Sequence, residues 1–220
     1  MGGAKLVVTS AHEVTIEQIR PGTFRGGKTE AMCEGATPTP TYLFVIDVQE
    51  YYPSAHIEEL QQAVSAAIEW ADDNSVPIIV LLMESGGELI MPVAHDLLRA
   101  RTEVIRVVKH QETGWPALIF SGLLGVPSRC FLCGLNTDIC VAATAEDLVL
   151  DGHTVSIIAD ACASHSHLAW ELHGNREEIM QILHEQPWPN HEAEIARQQH
   201  FGRVTWLEDL PTLTTASIAV

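Results

Sequence analysis

Basic residues are scarce in this chain: 12 Lys and Arg stand against 29 Asp and Glu, a formal net charge of −17. That balance argues against a nucleic-acid backbone or an anionic membrane surface as partner. It leaves room for an anionic small molecule, because a local site can oppose the global charge. Long apolar runs are missing too. None approaches the ~20 residues of a membrane span, and the amino terminus lacks a signal-peptide pattern. A disulfide framework is also absent. The five cysteines, Cys33, Cys130, Cys133, Cys140 and Cys162, are odd in number and irregular in spacing, so reduced thiols and a cytoplasmic location are the expectation. Cys130 and Cys133 have the spacing of a redox or metal pair, but they sit in an apolar run with no second pair and read as core packing. Histidines do not cluster at ligand spacing either. His165-x-His167 is the one tight pair, and it reads as a solvated helix start. His173, His184, His191 and His200 are scattered through 171–200, a stretch that reads as surface, arm or interface. No metal and no cofactor are expected.

The chain has enough length and apolar content, 220 residues and 46% hydrophobic, for a substantial core. Residues 1–40 read as an arm and 41–220 as one domain. Within the arm, Lys5–Thr9 and Glu13–Arg20 have the look of short strands. Gly22 to Thr29 matches the phosphate-loop pattern GxxxxGK[ST], yet too few helical residues follow it to build the helix such a loop requires. From Thr41 the pattern becomes regular. Tyr42–Ile46 is a continuous apolar strand of the kind buried on both faces of a parallel sheet. Ile57, Leu60, Val64, Ala67, Ile68 and Ala71 trace a helix. Strands are expected at Val76–Met83, Val104–Val108, Cys130–Cys133, Thr154–Ala159 and Arg203–Trp206. Met91–Ala100 reads as a short helix or loop, and helices are expected near Trp115–Leu124, Ile139–Val149 and within Leu168–Leu183. Strands alternating with helices indicate a doubly wound, three-layer α/β/α sandwich with a mostly parallel central sheet.

The chemistry concentrates between Arg129 and Ser164. A short apolar strand ends at Gly134, a tight turn follows, and a helix runs to a stop at Gly152. Thr137 reads as the helix N-cap and Asp138 as an acidic first-turn residue. Cys140 falls in that first turn, where unpaired N–H groups and the helix dipole favour a thiolate and can hold an oxyanion. Taken alone, the stretch leaves a reactive thiol and a small buried apolar residue equally open. Two further reactive residues share its placement: Asp47 and Lys109 also stand at carboxyl ends of expected strands. Such ends converge on one edge of a parallel sheet, where open α/β folds bind ligands. An acid, an amine and a thiol gathered there make a nucleophilic site.

These residues carry a resemblance. The chain resembles the isochorismatase-like cysteine hydrolases, a superfamily that includes nicotinamidases, ureido and biuret-type amidohydrolases, and isochorismatases. Asp47-Val48-Gln49 matches its Asp-x-Gln motif, and Lys109 followed by Thr113-Gly114-Trp115 resembles its lysine motif. Gly134 to Val141 matches its nucleophile signature, and Asp160-Ala161 fits after the next strand. The resemblance implies Cys140 as nucleophile, Asp47 as general base and acid, and Lys109 as supporting cation. It also implies a cis peptide between Leu135 and Asn136, with the Asn136 and Cys140 N–H groups as oxyanion hole. The expected reaction is cleavage of a C–N bond in a small amide or ureido compound by way of a thioester and water. The expected assembly is a homo-oligomer, a dimer or tetramer. Nicotinamidases carry an Asp-x-His-x-His metal cluster where this chain reads Leu82-Met83-Glu84-Ser85-Gly86-Gly87, so that activity is not expected. Trp115, Gln49, Glu84 and Trp170 are the expected pocket residues. A vinyl-ether hydrolase, or a non-catalytic binding or assembly protein, is the alternative.

Overall fold

The computed structural model describes residues 16–18, 39–165, 175–185 and 189–213. The phosphate-loop pattern and Trp170 lie outside them. Seven strands form one sheet in the order β1-β4-β3-β2-β5-β6-β7. They are β1 (Ile16–Gln18), β2 (Thr41–Ile46), β3 (Ile78–Met83), β4 (Val104–Lys109), β5 (Arg129–Leu135), β6 (Thr154–Ala163) and β7 (Val204–Thr205). Strands β2 to β7 are all parallel, and β1 adds an antiparallel edge against β4. The apolar runs of β2, β3 and β5 explain why these strands are central: both faces of each are covered, and Leu43 to Ile46, Ile78 to Leu81 and Cys130 to Cys133 are buried.

Helices α1 (Glu58–Asp73), α2 (Met91–Arg99), α3 (Trp115–Ser121) and α4 (Ala142–Leu150) make the crossovers. From β2 the chain steps through α1 to β3 and through α2 to β4, in one direction along the sheet. From β4 it returns through α3 to β5, then through α4 to β6, in the other. Right-handed crossovers therefore put α1 and α2 on one face and α3 and α4 on the opposite face. The direction reverses between β2 and β5. Their carboxyl ends flank the switch point, the crevice where such sheets bind ligands.

Two readings change here. Thr137 is not an N-cap: Asn136 holds that position without a side-chain cap, and Thr137–Val141 form a π-helical turn before α4 begins. The helix expected within Leu168–Leu183 is overlapped by α5 (Arg176–Glu185), and the stretch read as surface, arm or interface also holds α6 (Pro189–His200), which packs on β6, β7 and the π-helical turn. Its inward face is His191, Glu194, Ile195 and Gln198, a helical spacing composed mostly of polar residues. A reading based on apolar periodicity has nothing to detect there. Strand β6 also runs four residues beyond Ala159, so Asp160 lies within it and accepts the Leu207 N–H at 3.1 Å.

One contact fixes β5 against β2. Gly134 pairs with Ile46, at φ +116°, and a Cβ there would lie 2.1 Å from the Ile46 carbonyl oxygen. Neither that conformation nor that space admits a side chain. Gly134→Ala is expected to lower stability by more than about 2 kcal/mol. Gly125→Ala, where a Cβ meets nothing within 4 Å, is expected to stay within about 0.5 kcal/mol. Urea midpoints of the two variants would check this, and equal midpoints would contradict it.

Candidate active site

Asp47 is the first residue past β2, in the left-handed region at φ +52°, an arrangement that strained functional positions often share. Its backbone N–H donates to the Leu81 carbonyl at 2.9 Å, which continues the sheet by one rung. The side chain is fully buried and turns under the sheet edge. Lys109, the last residue of β4, reaches across β3, and its Nζ stands 2.8 Å from Asp47 Oδ2. The remaining ammonium hydrogens go to the Gln111 and Glu112 carbonyls, at 3.1 and 3.0 Å. A buried ion pair is tolerable only where its other hydrogen-bonding capacity is met. Here the loop after β4 wraps around the ammonium to meet it. That loop is pinned in turn to α4, with Thr113 Oγ1 donating to Asp147 Oδ2 at 2.7 Å and the Gly114 N–H to Thr144 Oγ1 at 3.1 Å.

Asp47 Oδ1 accepts the Met83 N–H at 3.0 Å, a donor shared with Gln49 Oε1 at 2.8 Å. Gln49 Nε2 donates to the Met83 and Gly87 carbonyls, at 3.0 and 2.6 Å. Gln49 therefore staples the turn after β3 to the end of β2, and its amide is engaged in that staple.

Cys140 lies in the π-helical turn, almost fully buried, where the Asp47 carboxylate and the Asn136 backbone both bear on its thiol. The Leu135–Asn136 peptide is cis. The structure thus brings Asp47, Lys109 and Cys140 together with the Asn136 backbone. Burial, reinforced by the Asp47 charge, pushes the Cys140 thiol up to about 12, and Lys109 pulls against that shift. Burial likewise raises Asp47 above the usual carboxylate value, while Lys109, Cys140 and Met83 oppose it. Desolvation thus opposes the thiolate that the helix position favours.

Sequence reasoning missed Tyr52. It is buried just after the Asp47–Gln49 turn, and burial together with the Asp47 and Cys140 charges raises its phenol. Only its position five residues past Asp47 hinted at this. It also missed the hydrogen bond between Thr137 Oγ1 and His191 Nδ1, 2.9 Å and buried. The remaining expected pocket residues do not join this group. The Trp115 ring meets His153, 5.8 Å between centroids, at the far end of α4 from Cys140. Glu84 is exposed and bonded to His110 Nδ1 at 3.0 Å. Among the described residues no group of three or more His, Cys, Asp or Glu is placed to hold a metal ion, and no helix is long and apolar enough to cross a membrane.

Comparison with known proteins shows likeness at the level of the fold and of one segment of the chain. The isochorismatase domain family model matches residues 124–186, which span β5, the π-helical turn, α4 and β6 but neither Asp47 nor Lys109. A curated Xenopus laevis protein, isochorismatase domain-containing protein 2, is 26% identical over 131 residues. That match takes in 56% of this chain and spans 60% of the relative's length. An isochorismatase-fold structure from Burkholderia xenovorans superposes with a TM-score of 0.58 at 21% identity, over 78% of this chain and 86% of the other. The N-carbamoylsarcosine amidase of Thermoplasma acidophilum gives 0.52 at 16%, over 78% and 98%.

The thiol's raised pKa has a direct consequence. Alkylation of Cys140 by iodoacetamide, followed by peptide mass mapping, is expected to accelerate roughly tenfold per pH unit from pH 7 to pH 9 without levelling off, because the thiolate fraction grows that way below the pKa. A plateau with a midpoint below pH 8 would mean that the thiolate is already formed at rest.

Proposed function

We propose that this isochorismatase-like chain is a cysteine hydrolase that cleaves the C–N bond of a small amide or ureido compound through a thioester. The observation that carries the reading is the convergence of a buried thiol, a buried carboxylate and a buried ammonium on the cis-peptide turn at the sheet's switch point. That combination is costly to fold: breaking such an ion pair by removing one partner destabilises by about 3–5 kcal/mol. A site that serves only as core would be better served by apolar residues.

In the proposed reaction the Cys140 sulfur attacks the carbonyl carbon as its proton passes to Asp47. A buried carboxylate paired with Lys109, its proton affinity raised by burial, is suited to that transfer. The carbonyl electron pair moves onto oxygen, which the Asn136 and Cys140 N–H groups receive. The tetrahedral adduct collapses, the C–N bond breaks, and Asp47 returns the proton to the departing nitrogen. Water then attacks the thioester with Asp47 again taking a proton. The C–S bond breaks, the acid leaves, and the thiol regains its hydrogen. A thiol raised by burial fits this order, since deprotonation is coupled to attack and not completed before it.

An ammonia-release screen across small amides, ureido acids and biuret-like compounds tests the reading. With the substrate it identifies, Cys140→Ala and Asp47→Asn are each expected to lose at least about a thousandfold in kcat. Cys140→Ala turning over as fast as wild type would overturn the covalent route and favour Asp47-driven hydrolysis of the same bond by water.

A further inference from the structure

The π-helical turn carries both the nucleophile and the proposed oxyanion donors, so its placement sets the geometry of the reaction. Within the turn the Asn136 carbonyl accepts the Ile139 and Val141 N–H groups, at 3.1 and 3.0 Å. Those bonds shape the turn without anchoring it to the rest of the protein. Two side-chain contacts from other elements do so. At the end of β6, Ser164 Oγ donates to Asp138 Oδ1 at 2.5 Å and accepts the Asp138 N–H at 3.3 Å. On the other side His191, from the first turn of α6, bonds to Thr137 Oγ1 at 2.9 Å, with Thr137 wholly buried and His191 nearly so.

Helix α6 is not held chiefly by apolar burial. Of its four inward residues only Ile195 is apolar. Glu194 accepts from Gln198 and from Arg197, and Arg197 extends to Glu146 on α4 at 2.6 Å. Ordinary hydrogen bonds contribute only about 1 kcal/mol each, so this helix is docked by a few directional contacts. Moving it a fraction of an ångström moves whatever it holds, and what it holds is Thr137.

We propose that His191 is a positioning residue: through Thr137 Oγ1 it aligns the nucleophile turn, and with it the Cys140 thiol and the Asn136 N–H, for attack. The proposal rests on the hydrolase reading above. Asparagine is the informative replacement, because its side-chain amide falls where the imidazole carries Nδ1 and can keep the bond to Thr137.

The experiment measures kcat and KM for ammonia release, and the iodoacetamide rate at Cys140, in full-length wild type, His191→Ala, His191→Asn, Thr137→Val, the His191→Ala/Thr137→Val double variant and Cys140→Ala. His191→Ala and Thr137→Val are each expected to lower kcat tenfold or more with KM within about threefold. The double variant is expected to be no worse than the poorer single, as for two groups acting through one bond. His191→Asn is expected to recover to within about threefold of wild type, and the Cys140 alkylation rate to change at least threefold in the same variants that lose kcat. Unchanged kcat and alkylation in His191→Ala, or losses that multiply in the double variant, would overturn the proposal. Should His191→Ala fail to fold, the contrast between His191→Asn and Thr137→Val decides: equal impairment of both overturns it. Full turnover by Cys140→Ala would sink the hydrolase reading itself, whereas a dead Cys140→Ala beside an unimpaired His191→Ala sinks only the role of His191.

Discussion

The buried pair between Asp47 and Lys109 is the constraint around which the carboxyl edge of the sheet is arranged. An ammonium withdrawn from water needs all its hydrogens met, and a carboxylate needs donors on both oxygens. The Gln111 and Glu112 carbonyls meet the ammonium and the Met83 N–H meets the carboxylate. They come from the loop after β4 and the end of β3, and the Cys140 turn after β5 lies against the same carboxylate. Satisfying one ion pair therefore ties together segments from three strand ends. Structural demand and chemical opportunity coincide at this edge.

The polarity of the site follows from its depth. Cys140, Asp47 and Tyr52 all have pKa values raised by burial, and each would keep its proton longer than in water. Only Lys109 opposes that trend, by favouring negative charge on its neighbours. The Asp47–Lys109 pair thus sits where burial and the ammonium pull the carboxylate in opposite directions.

Much of this was legible in the sequence because its signals are local. The unbroken apolar runs of β2 and β5 gave parallel, doubly covered strands. Asp47, Lys109 and the Gly134–Val141 motif marked the strand ends that the fold gathers. What escaped depends on long-range polar contact. His191 belongs to a helix whose buried face is hydrophilic, so no periodicity announced it. Trp115 had an aromatic ring's usual promise as a pocket wall, but its partner, His153, lies 38 residues away and at the opposite end of α4. The thiol's surroundings escaped for a related reason: a helix end is visible in the sequence, while the desolvation that raises the Cys140 thiol depends on everything packed around it.

The close approach of Gly134 to Ile46 bears on how the site comes into being. Asp47 directly follows one of these strands, and the cysteine turn directly follows the other. There is no space for a methyl group between them, and their pairing joins segments nearly ninety residues apart in the chain. Pairings of such separation raise the contact order and slow folding. Asp47 and Cys140 therefore share the geometry of the paired β2 and β5, and the burial that raises the Cys140 thiol exists only where those strands are in place.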